Sequence, residues 1–390
     1  MKSMAVLLNA PNLGGAERSI ILQSKKLIGK YALTYYIPSL STLDSHAGRE
    51  HSPIRKFIQD EVPSAQIKDF IYPKALYEIS RKSNQLKLLE VLIAFLNALL
   101  IFRKANLIRY DCIWANGNKI AFISYLYLRL FLYRNKFIWH FRDYPFNKGF
   151  YVFLWKLINS PFLRNFELLF IGNSQSVCRE IKTIFPREKI IKLYNPVGIL
   201  PKVNSKREEK YLGVLSMFAP WKGIHQVIWC CLVYEKKLRE LGYSGLKIFG
   251  GDIYQTRGEH QGYAEQLYSL CNKYNSGFIE FCGLKSPHVA LSEIDVLVHP
   301  SLRAEPFGRV IVEAFKEKIP VISTGLGGAG EIIQNNINGL IFYPYDYIGL
   351  VEQIGKFTKD KLLRDALLDN AYKTYQTIEV GIDEALQKYF

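Results

Sequence analysis

Two glutamates, Glu305 and Glu313, stand eight residues apart in the run PSLRAEPFGRVIVEAFKEKIPVISTGLGGAGE, residues 300–331. Between them lies a proline-glycine turn that opens onto a helical pattern. Pro306 suits a first helical position, because its missing N–H would be unbonded there and its φ is preset. The residue before a proline is pushed out of the α region, so Glu305 is expected as a cap. The N–H groups of Phe307, Gly308 and Arg309 then have no intrahelical partner and make an anion site at the positive end of the helix dipole. Gly308 lets a ligand approach the backbone closely. Glu313 falls about 12 Å further along the axis. That exceeds the roughly 5–9.5 Å of a glycosidase carboxylate pair. It suits a ligand with a sugar at one end, phosphate in the middle and a ribose at the other.

Other residue sets could meet the same ligand. The first βα turn, NAPNLGGAERS, puts Gly14 and Gly15 at a helix start, a geometry for a phosphate or sugar hydroxyl. In the second half LSMFAPWKG repeats the arrangement, and Lys222 at that turn would neutralise a diphosphate. The strand end FIWHFRDY carries His140, Arg142 and Asp143 where open α/β sheets bind ligands. His140 could contact sugar hydroxyls, and Arg142 or Asp143 an acceptor. A rival motif is GLGGAG, Gly325–Gly330, which fits G-x-G-x-x-G with Asp346 further on. Read literally it makes the protein an NAD-dependent oxidoreductase, but it falls late in the chain and opens a short helix.

These sets must be positioned by a scaffold of short apolar strands alternating with helical stretches, which argues for parallel sheets covered on both faces. Expected strands in the first half are Ala5–Asn9, Leu33–Ile37, Cys112–Ala115, Phe137–His140, Leu168–Ile171 and Ile190–Leu193. In the second half they are Tyr211–Met217, Leu246–Phe249, Ile279–Cys282, Val296–His299, Pro320–Ser323 and Leu340–Tyr343. A chain of 390 residues exceeds one compact core. Asn195–Lys210 combines Pro, Gly and a charge run and reads as a linker. Residues 1–195 and 196–374 are thus expected as two domains, with a last helix, about 375–390, packing back on the first.

With 49% hydrophobic and 22% charged residues the chain is globular rather than disordered. Its six cysteines lack C-x-x-C spacing, and no D-x-D or metal-ligand cluster stands out, so reduced thiols and no metal are expected. The net charge of +16 is lopsided: residues 1–195 hold 29 Lys and Arg against 13 Asp and Glu, and the remainder balances. No basic 5–8-mer or zinc-finger spacing supports nucleic acid. An anionic inner-membrane surface is the expected partner of the basic half. Val91–Phe102, the most apolar run, is too short to span a bilayer and reads as a packed helix. Phe146–Arg164 mixes aromatics with Lys148, Lys156 and Arg164 in a pattern that could lie on a membrane face. The start, MKSMAVLLNAPNLGG, is too soon interrupted for a secretory signal, and a cytoplasmic protein peripheral to the inner membrane is expected.

Taken together, GGAERS, WHFRD, GNSQSV, LYNPV, WKG, FCGLKSPHVALSEIDVLVHPS, EPFGRVIVEAF and NGLIFYPYD resemble, in order and spacing, the retaining glycosyltransferases of family 4. The resemblance implies the GT-B fold, two doubly wound Rossmann-like parallel-sheet domains facing a central cleft. It implies a hexosyltransferase using UDP-sugar or GDP-sugar, with no cofactor or metal, and a lipid-linked or surface polysaccharide such as an O-antigen as acceptor. It makes Glu305 the glutamate that contacts the donor sugar beside the reacting centre, and Glu313 the one that holds the ribose hydroxyls. The amides of Phe307, Gly308, Arg309 and Val310 and the Lys222 ammonium would hold the diphosphate. Gly15 would approach the donor phosphate from the opposite domain, His140 would bind the donor sugar's hydroxyls, and the base would lie near Glu280–Gly283. One departure is Ser216-Met217, where the family usually has a Gly-Arg pair. A sugar-nucleotide isomerase or phosphorylase, or a non-catalytic GT-B scaffold, are further readings of the same fold.

Overall fold

The computed structural model describes residues 1–39, 52–71, 96–97, 100–145, 165–198, 208–251 and 262–390. The membrane-facing pattern at 146–164, most of Val91–Phe102 and part of the linker lie outside the described residues. The chain divides into two compact units, residues 1–196 with 381–390, and residues 197–380.

In the first unit the strands are β1 (Lys2–Leu7), β2 (Tyr31–Ser39), β3 (Gln66–Ile71), β4 (Cys112–Asn116), β5 (Lys136–Phe141), β6 (Glu167–Gly172) and β7 (Lys189–Lys192). They form one parallel sheet in the order β3-β2-β1-β4-β5-β6-β7. Helices α1 (Gly15–Lys25), α2 (Pro53–Glu61), α3 (Asn118–Leu130) and α4 (Gln175–Ile184) join the strands. β4 is buried at every position, as a parallel strand covered on both faces requires. Aromatic rings fill much of the core, with Trp139 stacked on Phe141 at 5.4 Å and Phe170 edge-on to both.

In the second unit β8 (Lys210–Leu215), β9 (Tyr243–Phe249), β10 (Ile279–Gly283), β11 (Val296–His299), β12 (Val321–Ser323) and β13 (Leu340–Ile341) run parallel in the order β10-β9-β8-β11-β12-β13. Its helices are α5 (Ile224–Glu240), α6 (Tyr263–Tyr274), α7 (Pro287–Ser292), α8 (Arg309–Lys316), α9 (Ala329–Ile332) and α10 (Tyr347–Lys359). A long α11 (Lys361–Tyr389) follows. Its last residues are held within the first unit: the Phe390 ring lies 4.5 Å from Trp114, the Tyr31 hydroxyl donates to the Phe390 carbonyl, and Lys26 pairs with Asp383.

Both sheets reverse winding direction once, between β1 and β4 and between β8 and β11. Loops leaving the carboxyl ends of such a strand pair frame a crevice in which open α/β sheets bind ligands. In the first unit those loops touch, since a Cβ on Gly117 after β4 would stand 3.1 Å from the Asn9 side chain after β1. No described helix is long and apolar enough to cross a membrane.

Candidate active site

The crevice of the second unit is built by the turn after β8 and the turn after β11. Gly223 (φ +70°) ends the short turn that carries Lys222, and a Cβ there would overlap the Pro300 carbonyl. Glycine is therefore what lets the two loops meet. The contact is pinned by the Leu302 N–H donating to the Trp221 carbonyl, and by Gln226 donating to the Pro300 carbonyl while accepting from the Tyr345 N–H.

Within this frame Lys222 Nζ donates to Glu305 Oε1 at 2.5 Å. The Ser301 hydroxyl donates to the same oxygen, and His299 Nε2 faces it at 3.1 Å without the alignment of a hydrogen bond. His299 is held in turn by Ser323, its Nδ1 lying 3.1 Å from an Oγ that accepts from the Gly325 N–H. Glu305 is 5% exposed. Burial alone would raise its carboxyl, but the charges of His299 and Lys222 override this and hold it far below the usual carboxylate range.

The entry to α8 differs from the expectation. The helix begins at Arg309, three residues beyond Pro306, and Gly308 is its N-cap with φ +89°. Glu305 caps nothing. Its backbone bridges to Gly327, its N–H donating to the Leu326 carbonyl and its carbonyl accepting from Gly328. This pairing with the glycine loop outweighs the preference of Pro306 for a first helical turn. The glycines of GLGGAG serve the approach: a Cβ on Gly328 would overlap the Pro306 carbonyl, and one on Gly330 the Gly325 carbonyl. The helix they open, α9, spans four residues, which gives a dinucleotide little dipole to bind.

The first turn of α8 supplies the amides of Arg309 and Val310, while Phe307 is buried ahead of it. Glu313 is buried one turn on and accepts from Arg309 Nε at 2.8 Å. Ser216 and Met217 lie half-buried past the end of β8, with the Ser216 hydroxyl lacking a hydrogen-bond partner among the described residues. β10, the expected neighbour of a base, meets the loop after β9 through the Gly250 N–H on the Gly283 carbonyl.

In the first unit Gly14 and Gly15 are exposed at the start of α1. His140 is fully buried, its ring parallel to Trp114 at 5.9 Å, with no hydrogen-bond partner for either nitrogen among the described residues. Burial first, and the Arg142 charge second, push its imidazole well below the usual histidine range, so it stands neutral. Arg142, expected with Asp143 as a candidate acceptor contact, is half-buried. It donates to the side-chain oxygens of Asn116 (2.5 Å), Asn195 (2.5 Å) and Gln23 (3.0 Å). Asp143 is exposed and accepts from the Tyr144 N–H. Sequence reasoning passed over Glu17, whose buried carboxyl is lifted to about 6 by burial against the pull of backbone N–H groups and Arg142. It passed over His299 and Ser301 as well, though both stand in the quoted DVLVHPS.

Residues 199–374 match the family model of glycosyl transferases group 1. A glycosyltransferase of Methanocaldococcus jannaschii, itself uncharacterized, is 28% identical over 51% of this chain and 53% of its own length. The capsular polysaccharide biosynthesis glycosyltransferase CapM of Staphylococcus aureus is 27% identical over 44% of each chain. The chain thus spans about half the length of the curated relatives it matches. Among solved structures, Anabaena HepE in complex with UDP and glucose superposes with a TM-score of 0.75 at 19% identity, covering 100% of this chain and 99% of HepE. Sucrose-phosphate synthase of Thermosynechococcus elongatus gives 0.74 at 15% identity, covering 100% and 98%. Residues 199–374 are thus a glycosyl transferases group 1 domain, carried on a chain whose two parallel-sheet units share the GT-B fold of the solved structures it superposes on.

Proposed function

We propose that the protein is a retaining, metal-independent glycosyltransferase that moves a hexose-type sugar from UDP-sugar or GDP-sugar to a lipid-linked or surface polysaccharide acceptor. Residues 196–374 serve as donor domain and residues 1–195 as acceptor domain. The observation that carries this reading is the convergence of Lys222, His299 and Ser301 on Glu305 at the β8/β11 crevice, beside the first turn of α8. That HepE was solved with UDP and glucose supports a nucleotide sugar as the ligand.

In this reading Lys222 and the Arg309 and Val310 amides hold the diphosphate, and Glu313 the ribose hydroxyls. Charge built up on the leaving group is met by a cation and dipoles that the chain itself supplies. One such aimed donor is typically worth 10²–10³ in rate. Glu305 lies beside the reacting carbon, and neutral His140 accepts or donates to sugar hydroxyls. The acceptor oxygen attacks from the face the diphosphate leaves. The bond from the anomeric carbon to phosphate breaks, the bond to the acceptor oxygen forms, and the acceptor proton passes to the departing phosphate oxygen. CapM, a capsular polysaccharide enzyme by name, supports a glycan acceptor, and the basic first half supports work at an anionic inner-membrane surface from the cytoplasmic side.

The test uses water as acceptor. Hydrolysis of UDP-glucose or GDP-mannose is followed by proton NMR before mutarotation. Release of the α-anomer first is expected; the β-anomer first, or an isolated covalent glycosyl-enzyme, overturns retention by same-face attack.

A further inference from the structure

We propose that the strand-start end of the first unit's sheet, where α3 ends beside residues 100–109, is a docking face for an anionic lipid bilayer. The inference rests on the reading that the protein works at a membrane surface, and it names the face that makes contact.

α3 runs back from the carboxyl end of β4 and finishes in Leu130-Phe131-Leu132, which are 62%, 36% and 61% exposed. Leu100 (60%) and Ile108 (40%), from the segment that leads into β4, are exposed as well. The guanidinium of Arg103 lies over the Phe131 ring, so the two segments form one surface. Scattered exposed leucines are ordinary, but a grouped set is not.

The backbone shows that the exposure is imposed. Leu132 sits in the left-handed region with φ +53°, where helix ends normally place glycine. The following Tyr133 N–H closes the helix end on the Leu128 carbonyl, and the Tyr133 hydroxyl is buried on the Tyr110 and Lys136 carbonyls. The turn is therefore fixed from below, and a large apolar side chain is carried outward at a position where glycine would cost less.

Charge selects the partner. Between Val91 and Arg142 the chain has eight Lys and Arg and one acidic residue, Asp111, which accepts from the Ser3 N–H and hydroxyl. Arg103, Lys104, Arg109 and Arg134 are exposed around the apolar group. A second copy docking through the same patch would bring like charges together. Nucleic acid would use the cations but leave the aliphatics in water. An anionic bilayer takes both, side chains in the acyl boundary and cations among the headgroups.

The face lies at the start of β4 and β5, whereas Asn116, His140 and Arg142 leave their other ends. A six-residue strand spans about 20 Å. The patch is thus separate from the expected acceptor residues and serves as an anchor.

The experiment is cosedimentation of the full chain at low salt with vesicles of phosphatidylcholine containing phosphatidylglycerol, and with phosphatidylcholine alone. Leu132→Gly is the sharp variant, since relief of the left-handed strain keeps or raises Tm while the apolar anchor is lost. Its partitioning onto anionic vesicles is expected to fall on the order of 10-fold. Arg103→Ser and Arg134→Ser should each lower it about 5-fold. Titration with UDP or GDP should be unchanged in all three. Wild-type protein that ignores anionic vesicles overturns both the face and the membrane reading. Wild-type binding that these variants do not weaken overturns the face alone. A dimer dissolved by Leu132→Gly, or nucleic acid binding in place of vesicles, overturns it in favour of that occupant.

Discussion

Lys222 and Glu305, 83 residues apart, meet at 2.5 Å in the crevice of the second unit. The oxygen that Lys222 contacts also receives Ser301 and faces His299. In the proposed donor site an incoming diphosphate has to compete with this carboxylate for the lysine. Removing one member of such a buried pair strands the other charge and costs about 3–5 kcal/mol. Glu305→Gln is therefore expected to lower stability by that order in chemical denaturation. It should bind UDP or GDP as tightly as wild type or more so, because the competing negative charge is gone. Turnover should be lost. Weaker nucleotide binding in Glu305→Gln would contradict the competition.

The same pair fixes a pH dependence. The Glu305 carboxyl is depressed in the folded protein, so its contribution is present above the unfolded value near 4.5 and is lost as pH falls toward the folded one. Glu17 has the opposite sign. Its carboxyl is raised to about 6, so the folded state binds the proton more tightly than the unfolded chain does. Its contribution is complete below about 4.5 and is lost as pH rises through 6. The difference corresponds to about 2 kcal/mol. Glu17→Gln keeps an acceptor for the backbone N–H groups without the charge. Denaturation midpoints between pH 4.5 and 7 should show wild type losing stability relative to this variant as pH rises. A constant difference would refute the raised carboxyl.

Gly328→Ala addresses the loop that fixes Glu305. A Cβ there overlaps the Pro306 carbonyl and crowds the Phe307 Cα, so the Glu305–Gly327 bridge must open. Overpacking of this kind typically costs 1–3 kcal/mol. Nucleotide affinity should fall with it, whereas Gly277→Ala, at a position with open space around it, should change neither. Wild-type affinity in Gly328→Ala would show that the glycine loop does not position the site.

His140 is neutral and buried with its ring nitrogens unmatched among the described residues. If a sugar hydroxyl is their partner, His140→Ala should erase the affinity difference between a UDP-sugar and UDP. It should leave UDP itself unaffected. Loss of UDP binding would assign the residue to the fold.

The strands were legible because buried parallel strands are continuous apolar runs, and those at Cys112, Phe137, Leu168 and Val296 lie within a residue or two of expectation. β3 was not legible, since Gln66–Ile71 is an edge strand whose Lys68 and Asp69 break the run. The helix start at Pro306 was misplaced because local proline geometry was decided by a loop more than twenty residues later. The partners of Arg142, namely Gln23, Asn116 and Asn195, were not legible because they are brought to it only by the fold. His299 and Ser301 were in view as residues, but their convergence on Glu305 exists only once β11 lies beside β8.

The most direct test of the donor site is calorimetric titration of UDP, GDP, ADP and NAD into the wild-type protein and Lys222→Ala. A charge-assisted contact is worth about 1.5–3 kcal/mol, so a loss of roughly 10- to 150-fold is expected in the variant. The account predicts that UDP or GDP binds the wild type and is weakened to that degree, with NAD inert. Binding of NAD alone, or nucleoside diphosphate binding that Lys222→Ala leaves untouched, would contradict it.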